Sequence, residues 1–245
     1  MAPSLGTPLF SGADADLYVV GGDRLLRRSR SGADAVGVAE VMRHVRAAGF
    51  PAPRVDAAAD GDLTMELLRG PTLLQSMIGG RTSVAEAARI LVALHGSLHA
   101  VPAPAPGEPA HTALSAASPA GPAAPRRADD GDRCVVHLDL HPANVVLTAD
   151  GPALVGWTSA RLGPAHLDLA VTALVVAEVA VDEDDSLARG ARVLLDAFLQ
   201  LADPALLDRL EDAARTRAAD PGLDPVEAAL VPAAAALVAR EAGRN

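Results

Sequence analysis

The sequence predicts an α+β protein of two lobes, a small β-rich one followed by a larger, mainly helical one. Three observations predict it. Short β-like runs punctuated by glycine and proline fill the first seventy residues and leave room for a single helical pattern. Helical periodicity dominates the chain after about residue 166. Between these regions, Val135-Val136 and Val145-Val146-Leu147 bracket a polar stretch holding His137, Asp139, His141 and Asn144. Apolar β-branched runs of that length read as short buried strands. A loop held between buried strands can fix its side chains rigidly, which is where chemistry is usually placed.

Taken in order, Leu17–Val20 and Arg24–Arg28 are β-like pieces joined across Gly21-Gly22, a hairpin signal. The preceding Ser11-Gly12-Ala13-Asp14 reads as a plain hairpin, its one glycine being weak evidence for a phosphate loop. Val38, Val41, Met42 and Val45 recur at helical spacing over 34–48, and Gly49 with Pro51 supplies a stop. Residues 53–68 read as more sheet, ending in Leu63-Thr-Met-Glu-Leu-Leu68, and Thr72 can cap a helix beyond Pro71. Ala87, Ile90, Leu91, Leu94 and Leu98 form the apolar stripe of a helix from Ser83 to His99. His95 and His99 lie four apart on it; that spacing can bind metal, but with no third ligand in the sequence nearby they read as surface histidines. Residues 101–132, rich in Pro, Ala, Gly and Ser, read as a flexible excursion in which His111 is solvated. Asp150-Gly151 is a type I′ turn signal between Val145–Leu147 and Ala153–Val155. A helix follows over 166–180, and Asp203-Pro204 and Asp224-Pro225 are cap-plus-proline starts for later ones.

At 245 residues the chain is long enough to bury a substantial core. Half of it is hydrophobic, almost entirely Ala, Leu and Val, and it contains no lysine, so every cationic side chain is Arg or His. The formal charge of −10 argues against nucleic acid or an anionic membrane surface as partner. It favours a cationic substrate, although solubility accounts for it equally well. The single Cys134 sits beside an apolar run and reads as a buried core thiol in a reducing compartment. No basic-then-apolar leader and no apolar stretch of membrane-spanning length is present, so a cytoplasmic location is expected.

The spacing His137-x-Asp139-x-x-x-x-Asn144 is that of a kinase catalytic loop, in which Asp takes the substrate hydroxyl proton and Asn ligates magnesium. With the β-rich start, a basic residue on a strand, Glu40 on the next helix and a helical remainder, the order of features resembles the aminoglycoside phosphotransferase family. These are small-molecule kinases with a bilobal, protein-kinase-like fold. His137-Leu-Asp-Leu-His-Pro-Ala-Asn144 is similar to the family's H-G-D-L-H-P-x-N. Pro51-Ala-Pro53, Met65-Glu-Leu-Leu-Arg-Gly70 and Pro164 through Asp168-Leu-Ala170 resemble further family phrases, and the likeness runs over about 10–180. The resemblance implies a nucleotide-binding lobe over 7–68 and a C-lobe over 69–245, with ATP and Mg²⁺ as cofactors. It implies Asp139 as the catalytic residue and Asn144 as a metal ligand. Arg27, paired with Glu40, would lie over the phosphates, and the backbone of Met65, Glu66, Leu67 and Leu68 would hold adenine. His137 and Asp168 would be structural. The acceptor would be the hydroxyl of a small molecule, a cationic one being favoured by the acidic run Glu178, Asp182–Asp185 if that run is more than a solvated turn.

One position departs from the family. Where the family places a metal-binding Asp before Trp, this chain has Gly156-Trp157. Magnesium binds poorly where carboxylates are lacking, and losing that ligand lowers the rate by ~10³-fold or more, at ~1.4 kcal/mol per decade. A degenerate, pseudokinase-like protein that binds nucleotide or ligand without turnover is therefore the second reading. A third is a metal-dependent hydrolase in which His137, Asp139 and His141 alternate onto one face of a strand, with His166 and Asp168 added.

Overall fold

The computed structural model describes residues 5–12, 15–30, 32, 34–116, 133–182, 186–220 and 222–244. Its first lobe is a five-stranded antiparallel sheet. The strands are β1 (Phe10–Ser11), β2 (Ala15–Val20), β3 (Arg24–Ser29), β4 (Val55–Ala59) and β5 (Asp62–Glu66), in the order β1-β2-β3-β5-β4. Both hairpin turns use glycine where the chain needs positive φ: Gly21 and Gly22 at 62° and 80°, and Gly61 at 82° after Asp60 at 50°. Helix α1 (Ala35–Ala47) starts at Asp34, whose carboxylate accepts the Gly37 N–H at 2.8 Å. The helix lays Val41, Met42 and Val45 against β4 and β5. Of the Ser11–Asp14 loop, residues 13 and 14 fall outside the described residues.

The chain leaves the sheet through Leu67–Gly70 into α2 (Leu73–Ile78), where Thr72 and Gln75 form a reciprocal capping box. Helix α3 (Val84–His99) follows, with Ala87, Leu91, Leu94 and Leu98 buried as their spacing predicts. The expectation of a wholly flexible 101–132 needs correction. Residues 109–116 form helix α4 (Pro109–Ala116), packed on α1, with Ala110 and Leu114 buried and His111 half-buried. The stretch shows no apolar stripe in sequence, yet Ala110 and Leu114 suffice to seat a two-turn helix on a ready-made surface. The rest of that stretch, 117–132, lies outside the described residues.

The second lobe carries two small β pairs. Strand β6 (Cys134–Val136) pairs with β9 (Arg161–Gly163), and β7 (Val145–Thr148) with β8 (Gly151–Leu154), all antiparallel. The β7–β8 hairpin is as expected, but its turn is not type I′. Thr148 pairs with Gly151, so Ala149 and Asp150 make the turn, and neither has the positive φ that type I′ requires. The Thr148 hydroxyl closes it instead, donating to Gly151 O at 2.8 Å and accepting from Asp150 N at 3.2 Å.

Helix α5 (Ala165–Val181) runs through the middle of this lobe, buried on nearly every side. Around it stand α6 (Ala188–Leu201), α7 (Leu210–Ala218) and α8 (Pro225–Ala242). Asp203 and Asp224 cap their segments as the Asp-Pro pairs predict. The β7–β8 hairpin packs against the first lobe through Leu154 N–H, which donates to Pro51 O, and against the connecting segment through Leu147 N–H, which donates to Pro71 O, both at 2.9 Å. No helix among the described residues is long and apolar enough to cross a membrane.

Candidate active site

The polar stretch leaves the buried strand β6 and turns back through a short helical turn at Pro142–Asn144. Hydrogen bonds fix the tautomer of its second histidine. His141 Nδ1 accepts the Ala143 N–H at 3.3 Å, so the ring proton sits on Nε2, which faces Asp139 Oδ1 at 3.4 Å. Asn144 Nδ2 then directs its two hydrogens to Asp139 Oδ2 at 2.7 Å and Asp139 O at 2.9 Å. Asp139, half-buried, is thus held from both sides. Burial alone would raise its carboxyl, but the hydrogen bonds from His141 and Asn144 outweigh it and keep the group below its ordinary value. Asp139 is an ionised carboxylate at the edge of a rigid loop.

Beneath the loop, Asp168 is its anchor. Oδ1 accepts the Leu138 N–H at 2.7 Å, and Oδ2 accepts the His137 N–H and His99 Nε2–H, both at 3.0 Å. His95 completes the ring. The Thr172 hydroxyl donates to Leu140 O at 2.8 Å and therefore accepts from His95 Nε2–H at 2.9 Å. His95 Nδ1 lies 3.4 Å from Asp168. Burial opposes ionisation of Asp168, but the two histidines more than offset it and hold the carboxyl well below the usual range. The anchoring also fixes Leu138 at φ 62°, one of two non-glycine residues at positive φ among those described. That is the position where the family phrase has Gly.

His95 and His99 are therefore not surface histidines: His95 is buried, and the third ligating group near them is Asp168. These three form the one metal-sized cluster among the described residues. Hydrogen bonds to the loop backbone and Thr172 engage the cluster except for His95 Nδ1, which is buried without a hydrogen-bond partner. The hydrolase reading fails on the same geometry. His137 Nδ1 accepts the Asp139 N–H at 3.2 Å, and its fully buried ring stands edge-on to Trp157 at 4.9 Å. Burial pushes its pKa down to about 4. His137, Asp139 and His141 do not converge on a metal, and His166 faces Asp203, not Asp168.

Gly156 comes up beside this loop. Val155 N–H donates to Asn144 O at 2.9 Å, and Gly156 follows at φ 85°, exposed. A Cβ there would stand 2.8 Å from Asn144 Nδ2. Mg²⁺ is usually held by one or two carboxylates together with substrate phosphates. Here Asn144 Oδ1 is a neutral oxygen, position 156 offers no side chain, and both Asp139 oxygens face His141 or Asn144. The donor set does not fit a Mg²⁺ ion held by the protein; an ion at this site would have to be held mainly by nucleotide phosphates.

On the sheet side, Arg27 pairs in register with Leu17 and Leu63, so it shares a face with buried Leu63, one of the core residues packed with α1. Glu40 on α1 accepts from Arg43 at 2.6 Å. Met65 is buried at the end of β5. Glu66 N–H donates to Arg54 O at 2.8 Å and Leu67 N–H to Asp23 O at 3.0 Å. These two N–H groups are thus engaged inside the protein, which leaves the Leu68 N–H as the next along the connecting strand.

A cavity of about 580 Å³ opens on the other side of Asp139. Asp139 and His141 form one end, and none of Arg27, Met65, Glu66 or Leu67 lines it. The far end holds Glu178, whose carboxylate takes Arg217 Nε at 3.0 Å. Burial pushes the Glu178 carboxyl up, against the pull of Arg217. His141 as the group orienting Asp139 was not read from the sequence. Glu178 and Asp182, the described members of the acidic run, both line the cavity; Glu183, Asp184 and Asp185 of that run lie outside the described residues.

Comparison with known proteins identifies the family and the fold. The model of the phosphotransferase enzyme family (APH) matches residues 6–119 and 108–205. No curated protein sequence matches. Among solved structures, similarity extends to a thermostable mutant of aminoglycoside phosphotransferase APH(4)-Ia in ternary complex with AMP-PNP and hygromycin B. It is 14% identical, with 99% of this chain and 95% of that one covered and a TM-score of 0.63. The streptomycin–ATP–APH(2″)-IIa complex is 12% identical over 92% and 88%, at 0.56. Amicoumacin kinase hAmiN, in complex with AMP-PNP, Ca²⁺ and its ligand, is 14% identical over 98% and 90%, at 0.55. The expected bilobal, kinase-like fold is the one these proteins share, and the chain belongs to the phosphotransferase enzyme family.

Proposed function

We propose that the protein transfers the γ-phosphoryl group of ATP to a hydroxyl of a small molecule, slowly, because position 156 carries no carboxylate. The observation that supports this is Asp139, ionised, held by His141 and Asn144, and lining a cavity of about 580 Å³. The acceptor hydroxyl binds Asp139 and its oxygen attacks the γ-phosphorus. The bond from that phosphorus to the ADP oxygen breaks, and the hydroxyl proton passes to Asp139 as the new P–O bond forms. In this reading Arg27, with Glu40 behind it, lies along the phosphates, and the Glu66–Leu68 backbone receives the adenine. His137 and Asp168 keep the loop in shape. Because phosphoryl transfer is almost entirely positioning and charge neutralisation, the neutral Asn144–Gly156 pair lowers the rate without dismantling the site.

Gly156 equally favours a second reading, in which the same site binds nucleotide and ligand without turnover. Calorimetry of ATP binding with and without Mg²⁺, followed by ADP release against candidate alcohols, separates them. The phosphotransferase reading expects ATP binding by wild type and by Asp139→Asn, with ADP release by wild type alone. ATP binding with no acceptor-dependent ADP release supports the second reading. No ATP binding by either form sinks both.

A further inference from the structure

The cavity beside Asp139 differs in chemistry from what a polyamino sugar needs. Its walls come from four directions and are aliphatic in each. Leu74, Met77 and Ile78 of α2 form one side, and Val175, Val176 and Val179 of α5 form another. Leu187, Ala191 and Leu194 at α6 close the third, and Leu230 of α8 the fourth. Charged and titratable groups gather at two ends, and Thr82 and Ser186 add the only side-chain hydroxyls among the lining residues. One end is Asp139 with His141. The other is Glu178, Asp182 and Glu227 around a single arginine, Arg217, which is already engaged by Glu178 and by Asp220 at 3.2 Å.

The length of the cavity follows from α5. Thr172 holds the loop at Leu140, and Glu178 lies six residues further along the helix, about 9 Å at ~1.5 Å per residue. A ligand reaching both ends therefore presents apolar surface along its middle. A polycation with hydroxyls on every face would be desolvated against mostly aliphatic walls with few partners, which is costly. An anionic tail would meet three carboxylates. The volume of about 580 Å³ is that of a small-molecule site.

We propose that the acceptor is an apolar-bodied alcohol: an aliphatic or alicyclic chain with its hydroxyl at Asp139 and a neutral or singly cationic far end toward Glu178. This rests on Asp139 being the hydroxyl-binding residue of the phosphotransferase reading, but its test reads binding alone. The probes are 1-hexanol, 1-octanol, 8-amino-1-octanol, 8-hydroxyoctanoate and gentamicin, titrated into the full chain by calorimetry. ATP titrated into the same preparation shows separately whether the nucleotide half stands.

The expected result is affinity rising about fourfold for each added methylene along the alkanols. The amino alcohol should bind at least as well as 1-octanol, and the hydroxy acid and gentamicin more weakly. Ile78→Glu, at an exposed cavity-lining position, should weaken 1-octanol about tenfold. Val179→Ser should weaken it in the same direction, so that the outcome does not depend on one variant folding. Gentamicin binding more tightly than the amino alcohol, affinity independent of chain length, or indifference to both substitutions would each overturn the proposal while leaving the ATP result intact.

Discussion

Gly156 and Asn144 share one space: the volume a Cβ at position 156 would enter holds the Asn144 amide, 2.8 Å away. The absent carboxylate and the Asn144–Asp139 hydrogen bond therefore belong together, since the glycine gives Asn144 room to lie across Asp139. Gly156→Asp should move Asn144 off Asp139 and restore a carboxylate for the ion. The expected result is Mg²⁺-dependent tightening of ATP binding and a rise in turnover approaching ~10³-fold, at ~1.4 kcal/mol per decade. An aspartate at φ 85° should also cost about 1 kcal/mol of stability. Calorimetry and urea unfolding of the two proteins check both parts.

Asp168 is fully buried and accepts hydrogen bonds from two backbone amides and a histidine, with a second histidine beside it. Asp168→Asn removes the charge and turns an NH₂ group toward donors that need an acceptor. It should cost about 3–5 kcal/mol, seen as a lower urea midpoint at unchanged slope. Because the amides it holds belong to His137 and Leu138, turnover should fall with the fold.

His137 gives a pH dependence whose sign is fixed. Its folded pKa, about 4 through burial, lies below the ordinary value, so the unfolded chain binds a proton first as pH falls. Its contribution is full above about pH 6.5 and declines toward pH 4, by about 3 kcal/mol in all. Asp168, held low by its histidines, acts in the same direction at still lower pH. Urea midpoints from pH 7 to 4 should fall for wild type, with a shallower fall for His137→Gln.

Gly70 has φ 148°, and a Cβ there would collide with the Leu147 carbonyl. The strand leaving the first sheet thus passes flush against the hairpin behind the loop. Gly70→Ala should separate them, breaking the Leu147–Pro71 hydrogen bond. We expect a loss of at least 2 kcal/mol, from a strained φ and a displaced backbone contact, together with weaker ATP binding.

The sequence revealed most of this molecule wherever the deciding contacts are local. Helix caps at Thr72, Asp203 and Asp224, the apolar stripe of α3, and the hairpins all follow from residues within one or two turns of each other. The site showed itself through one uninterrupted phrase, His137 to Asn144. What stayed hidden depends on partners far along the chain. His95 is buried and His99 half-buried against Asp168, which lies about seventy residues away. Helix α4 forms because α1 offers a surface, and the cavity exists only where α2, α5, α6 and α8 meet. Leu138 hid a strained backbone behind an ordinary apolar side chain, which the substitution of a motif glycine could have disclosed.

Trp157 is the one tryptophan of the chain. It is buried beside Gly156, edge-on to His137 on one side and to Phe50 of the first lobe at 5.7 Å on the other. Its indole N–H donates to Leu154 O at 2.9 Å. The protein therefore carries a built-in optical reporter at the junction of its lobes. Selective excitation of indole emission senses this one place, without labelling. Nucleotide entry, rearrangement after Gly156→Asp and protonation of His137 should each change that emission, so the events inferred separately above can be followed through one signal in the unmodified chain.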